Sequence, residues 1–170
     1  MNMNPIVEKL PKNLQQFFVP RRYLHNSAGV IQPTQGKGLR EWVVSREFCY
    51  YRLFDLRNVD TGRQESALAV KIRQWSPFVD YGSYAVWHNG YAQVWVWDKA
   101  EQEAALSDQS IKQAFFMPET VLQQKTENGA RLVECLEGIE GQVWREGALV
   151  GSRWWPTPPP VKTWQRFLRT

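Results

Sequence analysis

"YGSYAVWHNGYAQVWVWD", residues 81–98, is the stretch on which the fold turns. Asn89-Gly90 is the pair that a two-residue type I′ turn demands, because both central positions need positive φ. Pairing His88 with Tyr91 then sets the register of an antiparallel hairpin. One face carries Ser83, Ala85, Trp87, Ala92, Val94 and Val96, small enough in the main for a helix to lie close. The opposite face carries Tyr84, Val86, His88, Tyr91, Gln93, Trp95 and Trp97. Both faces are expected to be at least partly covered.

Before the hairpin, "TGRQESALAVKIRQW" (residues 61–75) predicts a helix. Thr61 and Gln64 fit a capping box, and Leu68, Ile72 and Trp75 recur at i, i+4 and i+7 as an apolar stripe. Ser76-Pro77 ends it. Further back, "EWVVS" (41–45) and "FCYYRLFDL" (48–56) are β-branched and aromatic runs separated by Arg46-Glu47, which predict two strands joined as a hairpin. "HNSAGVIQPTQGKG" (25–38) is rich in turn formers and reads as a loop or mobile linker. Pro11 and Pro20 break the apolar clusters before it, leaving room for a helical turn or two.

After the hairpin, Asp98 and Glu101 cap a second helix whose Ala100, Ala104 and Ala105 give a shallow packing surface. "FFMPETVL" (115–122) holds a short strand. "ARLVECLEG", "GQVWRE" and "ALVGSRWW" then predict three consecutive strands. Pairing Arg145 with Ala148 across Glu146-Gly147 sets Trp144 opposite Leu149 and Glu140 opposite Arg153. Pro156 to Pro160 stops the last strand, and Trp164, Phe167 and Leu168 give a final helix an apolar side. The order β-β-α-β-β-α, short β, β-β-β-α predicts an α+β fold of mixed sheets, hairpins and helices. Three parts are expected: a basic, partly flexible arm over 1–40, a ββαββα module over 41–117, and a three-stranded meander with a C-terminal helix over 118–170.

The chain has 170 residues, 43% hydrophobic and 22% charged, which suits one ordinary domain or two small ones. Its +4 charge is uneven: residues 1–46 carry seven Lys or Arg against two acids, and the remainder is nearly balanced. Such an arm suits phosphates, anionic lipid, an acidic partner or solvent alike. Cys49 and Cys135 lie far apart in apolar segments and read as reduced core thiols of a cytosolic protein. No run of about 18 apolar residues spans a membrane. The first residues have no basic region followed by an apolar stretch, so no secretory signal is expected.

The sequence carries no GxxxxGK[ST], GxSxG, HExxH or CxxC motif. His88 beside its tight turn has no identifiable orienting partner, so a cross-strand or exposed role is preferred to catalysis. Asp55, Asp60, Glu134, Glu137 and Glu140 can gather around two metal ions in a phosphoryl-cleaving site, although charges on hairpin edges are far commoner. Trp95, Trp97, Trp154 and Trp155 can stack on bases or sugars; filling a core between sheet and helix is the preferred reading. No catalytic, cofactor-binding or metal-binding residue is assigned. If a partner surface exists, the aromatic face of Tyr84, Tyr91, Trp95 and Trp97 is the first place for it.

From about Glu41 to Thr170 the pattern resembles the cytoplasmic domain of the type II secretion inner-membrane platform protein L, and more distantly the actin-like type IV pilus assembly proteins. "YYRLFDLRNVDTGRQESALAVKIRQWSPF" resembles that family's strand, turn and helix, and "YAVWHNGYAQVWVWDK" the hairpin that follows. "ARLVECLEGIEGQVWREGALVGSRWWP" resembles the meander opening an actin-like, ribonuclease-H-like half. In actin-like ATPases that meander brings an Asp and closely spaced Gly and Thr toward nucleotide phosphates. Here "LEGIEGQ" keeps Gly138 and Gly141 but offers Glu137 and Glu140, which repel phosphate, so no nucleotide is expected.

The resemblance implies a non-enzymatic scaffold at the cytoplasmic face of a bacterial inner membrane, with a membrane anchor beyond Thr170. Its partners would be a secretion or pilus ATPase or another assembly-platform protein, with a second copy of the chain as a further one. Membrane contact would run through a segment outside this chain, and nucleic acid is not expected. The alternative is a ribonuclease-H-like metal-dependent nuclease or nucleotide-binding enzyme. Under the scaffold reading the final helix covers Trp154-Trp155 through Trp164 and Phe167.

Overall fold

The computed structural model describes residues 18–31, 36–109, 111 and 113–169. The helical turn or two expected before Phe18 lies outside them. Among the described residues ten strands, β1 (Arg21–Asn26), β2 (Gly29–Ile31), β3 (Arg40–Val44), β4 (Tyr50–Asp55), β5 (Tyr81–His88), β6 (Tyr91–Asp98), β7 (Phe115–Pro118), β8 (Gly129–Glu134), β9 (Ile139–Arg145) and β10 (Ala148–Trp155), form three sheets. Within the same residues they are accompanied by the α-helices α1 (Gln64–Trp75), α2 (Lys99–Asp108) and α3 (Val161–Phe167). The fold is α+β with mixed sheets.

The sheet β4-β6-β5 forms around the hairpin predicted from Asn89-Gly90. Both residues have positive φ, 48° and 78°, and His88 pairs with Tyr91. Alternation along β6 then assigns its two faces. Ala92, Val94 and Val96 pack with Leu68 and Ile72 of α1, while Trp95 and Trp97 enter a second core with Trp42, Trp144 and Leu149. The helix is entered differently from the capping box expected. Thr61 sits in a 3-10 turn, and Gln64 donates from Nε2 to the carbonyls of Leu56 and Val59, both at 3.2 Å. Asp98 caps α2 as expected, accepting from the Ala100 amide at 2.8 Å.

The four-stranded sheet β2-β1-β3-β7 corrects two expectations. Residues 25–38 are not simply a linker, because β1 and β2 form an antiparallel hairpin and β1 runs parallel to β3. The sheet therefore crosses the boundary expected at residues 40 and 41. Nor do β3 and β4 form a hairpin. A 3-10 turn at Arg46–Phe48 carries the chain from one sheet to another, so that β3 pairs with β7 and β4 with β6. The short strand expected in "FFMPETVL" is β7.

The third sheet, β10-β9-β8, is the expected meander. Arg145 pairs with Ala148 and Trp144 with Leu149, but a bulge between Leu149 and Gly151 advances the rest by one residue. Glu140 consequently lies opposite Trp154, and Arg153 opposite Gly141. Beyond the prolines, α3 returns onto this sheet. Trp155 meets Phe167 edge-on with ring centroids 5.4 Å apart, and Trp164 at 6.4 Å. Trp154 is held instead by its indole N–H, which donates to Glu137 O at 2.6 Å.

Candidate interaction site

Where the three sheets meet, the molecule buries a polar cluster. Arg46, 3% exposed, donates from Nε to Glu140 Oε1 at 2.7 Å, and Glu140 is wholly buried. The same carboxylate accepts from Thr120 Oγ1 at 3.0 and 3.1 Å, from Gln142 Nε2 at 2.9 Å and from the Ser152 hydroxyl. Arg46 also donates to the Cys49 carbonyl and, from Nη2, to Ser152 Oγ at 2.9 Å. Glu119 adds a second carboxylate, accepting from the Arg46 amide at 3.1 Å and from the Leu136 amide. Burial raises the affinity of Glu119 for its proton, against the pull of those two amides. Burial likewise pushes the thiols of Cys49 and Cys135 up to about 12, which leaves both protonated and unreactive.

This cluster accounts for residues that a catalytic reading would need. Glu140 has a guanidinium and three further donors on its oxygens, so it has no vacant lone pair for a metal ion. Glu137 accepts from Asn26 Nδ2 at 3.1 Å, and Asp55 is engaged by Arg57 at 2.6 Å. Among the described residues no three His, Cys, Asp or Glu side chains converge as a metal site. Gly138 and Gly141 face aromatic residues rather than open space. A Cβ on Gly138 would come within 2.7 Å of the Trp154 indole, and one on Gly141 within 2.6 and 2.8 Å of the Trp155 and Trp164 rings.

Of the four aromatic residues expected to meet a partner, two are placed elsewhere. Trp95 and Trp97 are each 2% exposed and belong to the core between the sheets, because their strand is the central one of its sheet and both of its faces are covered. Tyr84 is half-buried and meets Phe115 edge-on, with centroids 6.0 Å apart. Tyr91 lines a cleft.

That cleft, of about 260 Å³, lies between the turns of two hairpins. His88 donates from Nε2 to Glu146 O at 2.7 Å and so ties the β5-β6 turn to the β9-β10 turn. Arg57 stacks over the Tyr91 ring at 4.5 Å. Leu53 and Val150, which line the cleft, also line a larger groove of about 710 Å³ between β4 and β10. Each of these strands is the edge of its sheet. Two side chains of the neighbouring sheet bind the β10 backbone: Leu149 N donates to Gln93 Oε1 at 3.0 Å, and Leu149 O accepts from the Tyr51 hydroxyl. The groove is rimmed by exposed Arg52, Arg153 and Arg166. Arg52 lies over the Phe54 ring and Arg153 over the Trp155 ring, at 5.3 and 5.6 Å. Sequence spacing could not reveal this set, since its members are scattered over 115 positions and meet only through sheet packing and the bulge at Val150.

No protein-family model matches the chain, and no curated protein matches it in sequence. Among solved structures it is similar to the cytoplasmic domain of EpsL, an inner membrane component of the type II secretion system of Vibrio cholerae. The TM-score is 0.54 at 8% identity, over 79% of this chain and 71% of that one. A Bacteroides thetaiotaomicron protein with an actin-like ATPase fold and unknown function gives a TM-score of 0.48 at 8% identity, over 94% and 78%. The first likeness establishes a shared fold, the one the strand and helix pattern resembles; the second overlap is too loose to establish one.

Proposed function

We propose that this chain is a non-enzymatic scaffold domain that recruits another protein, such as a secretion or pilus ATPase, to the cytoplasmic face of a bacterial inner membrane. The observation that carries this reading is the use made of the residues a catalytic site would need. Glu140 is neutralised inside the fold by Arg46, and Gly138 and Gly141 are closed over by Trp154, Trp155 and Trp164. Side chains committed in this way hold the sheets together, and the groove between β4 and β10 is a concave surface suited to a protein contact. The shared fold with a domain described as the cytoplasmic part of an inner membrane secretion component supports the same reading. Among the described residues no helix is long and apolar enough to cross a membrane.

The test is sedimentation velocity of the purified full chain mixed with the purified secretion or pilus ATPase of its own organism. A defined complex is expected. Absence of any complex would overturn the proposal, and Mg²⁺-dependent nucleic-acid cleavage or ATP hydrolysis by the chain alone would put the enzymatic alternative in its place.

A further inference from the structure

The groove between β4 and β10 has a basic lining. Three arginines, Arg52, Arg153 and Arg166, stand on it, and none of the residues lining it is acidic. Among the described residues none of these guanidinium groups has a carboxylate within ion-pair distance, although the chain contains 17 Asp and Glu. Elsewhere on the surface Arg57 is paired with Asp55, and Lys99 with Asp80 and Glu103. Between the arginines the floor is apolar or small, formed by Leu53, Val150 and Gly151.

We infer that this groove binds an extended acidic segment of a partner protein, its carboxylates taken by Arg52, Arg153 and Arg166 and its apolar side chains set on Leu53 and Val150. The inference rests on the scaffold reading, whose partner it describes chemically. Guanidinium is the group best suited to the task, since its planar fork grips a carboxylate through two parallel hydrogen bonds. An extended chain fits because the groove follows two edge strands. Val150 and Arg153 are three residues apart on β10, about 10 Å along a strand, which matches an apolar side chain and an acid about three residues apart on the bound segment.

The shape favours a peptide over other polyanions. A membrane presents a plane, whereas these arginines rim a concavity. Single-stranded nucleic acid needs open aromatic faces for stacking. Here Tyr51 is half-buried with its hydroxyl bound to Leu149 O, and Phe167 is 6% exposed.

The probe is a fluorescein-labelled peptide of about twelve residues with glutamate at every third position and leucine or alanine between. Its anisotropy is followed on titration with the full chain at low and physiological salt. The comparison ligands are the same peptide with glutamine for glutamate, phosphatidylserine-containing vesicles and an oligothymidylate of equal charge. Saturable binding of the acidic peptide alone is expected, weakened about tenfold or more by Arg153→Glu with Arg166→Glu and within about twofold of wild type for Arg73→Glu, an exposed arginine of α1. Near-ultraviolet circular dichroism shows that the variants are folded. The inference falls if the peptide does not bind, if the glutamine peptide binds equally, if the groove substitutions change nothing, or if vesicles or oligothymidylate bind more tightly. Should the chain sediment with the ATPase while the peptide fails, this inference falls and the scaffold reading stands; should neither bind, both fall.

Discussion

Arg46 and Glu140, 94 positions apart, form a buried ion pair of 2.7 Å that joins the turn between two sheets to the central strand of the third. Each ion loses its hydration on burial. The pair is tolerable because Ser152, Thr120, Gln142 and the Cys49 carbonyl satisfy what the partners leave over. Removing one member is therefore far worse than removing both charges. Arg46→Met is expected to cost about 3–5 kcal/mol by urea denaturation. Adding Glu140→Gln should restore most of that loss. A single variant costing under about 1 kcal/mol would mean that the pair is not what holds this junction.

Trp95 illustrates how an aromatic face can mislead. The residue was a natural candidate for a partner contact, yet it is 2% exposed and its indole N–H has no acceptor among the described residues. Trp95→Ala is expected to cost about 3–5 kcal/mol through the cavity it opens, with loss of partner binding only as a result of unfolding. Trp95→Phe keeps most of the volume and removes an unsatisfied donor, so it should cost less than half as much. Tyr91→Ala, at the cleft, should change thermal stability by only about 1 kcal/mol. Thermal melts of the three variants decide this; equal losses for Phe and Ala at position 95 would contradict the packing argument.

Gly141 is required by its neighbours rather than by its backbone angles. Any Cβ there meets the rings of Trp155 and Trp164 at 2.6 and 2.8 Å, so Gly141→Ala must push α3 from its sheet. The expected cost is about 1–3 kcal/mol. Protease cleavage within 161–167 should become faster, and tryptophan emission should shift to the red. Gly62→Ala is the matched control, since nothing lies within 4 Å of its Cβ position. If both substitutions behave alike, the contact between α3 and the meander is not as described.

What the sequence disclosed was what depends on neighbours in sequence. Asn89-Gly90 determined a turn and a register because its φ requirement is local, and Leu68, Ile72 and Trp75 marked a helix face by spacing alone. The pairing of β1 with β3 was hidden: parallel partners leave no turn signal between them, and the connecting sequence, with three glycines and a proline, reads as a linker. The bulge at Val150 was hidden too. Without it Glu140 faces Arg153; with it Glu140 lies opposite Trp154, its true partner is Arg46, and Arg153 remains free to rim the groove. A one-residue slip thus separates the expected cross-strand charge pair from the buried one.

Glu119 gives the junction a pH dependence whose sign follows from its environment. Burial raises its folded-state pKa above the ordinary carboxylate value, although the Arg46 and Leu136 amides oppose this. The folded chain therefore keeps the Glu119 proton to higher pH than the unfolded chain does. Through the window that opens at the ordinary carboxylate value and closes at the raised one, the unfolded state deprotonates first, so stability falls as pH rises. The contribution is complete below that window and lost above it. Glu119→Gln removes the titration while keeping one oxygen acceptor for the two amides. Urea midpoints of wild type and variant, taken from about pH 4 to about pH 7, should diverge in slope, the wild type losing ground to the variant as pH increases. Parallel curves, or a wild type that gains on the variant with rising pH, would show that the carboxylate is not strained by burial and that Glu119 acts in the junction as an ordinary anion.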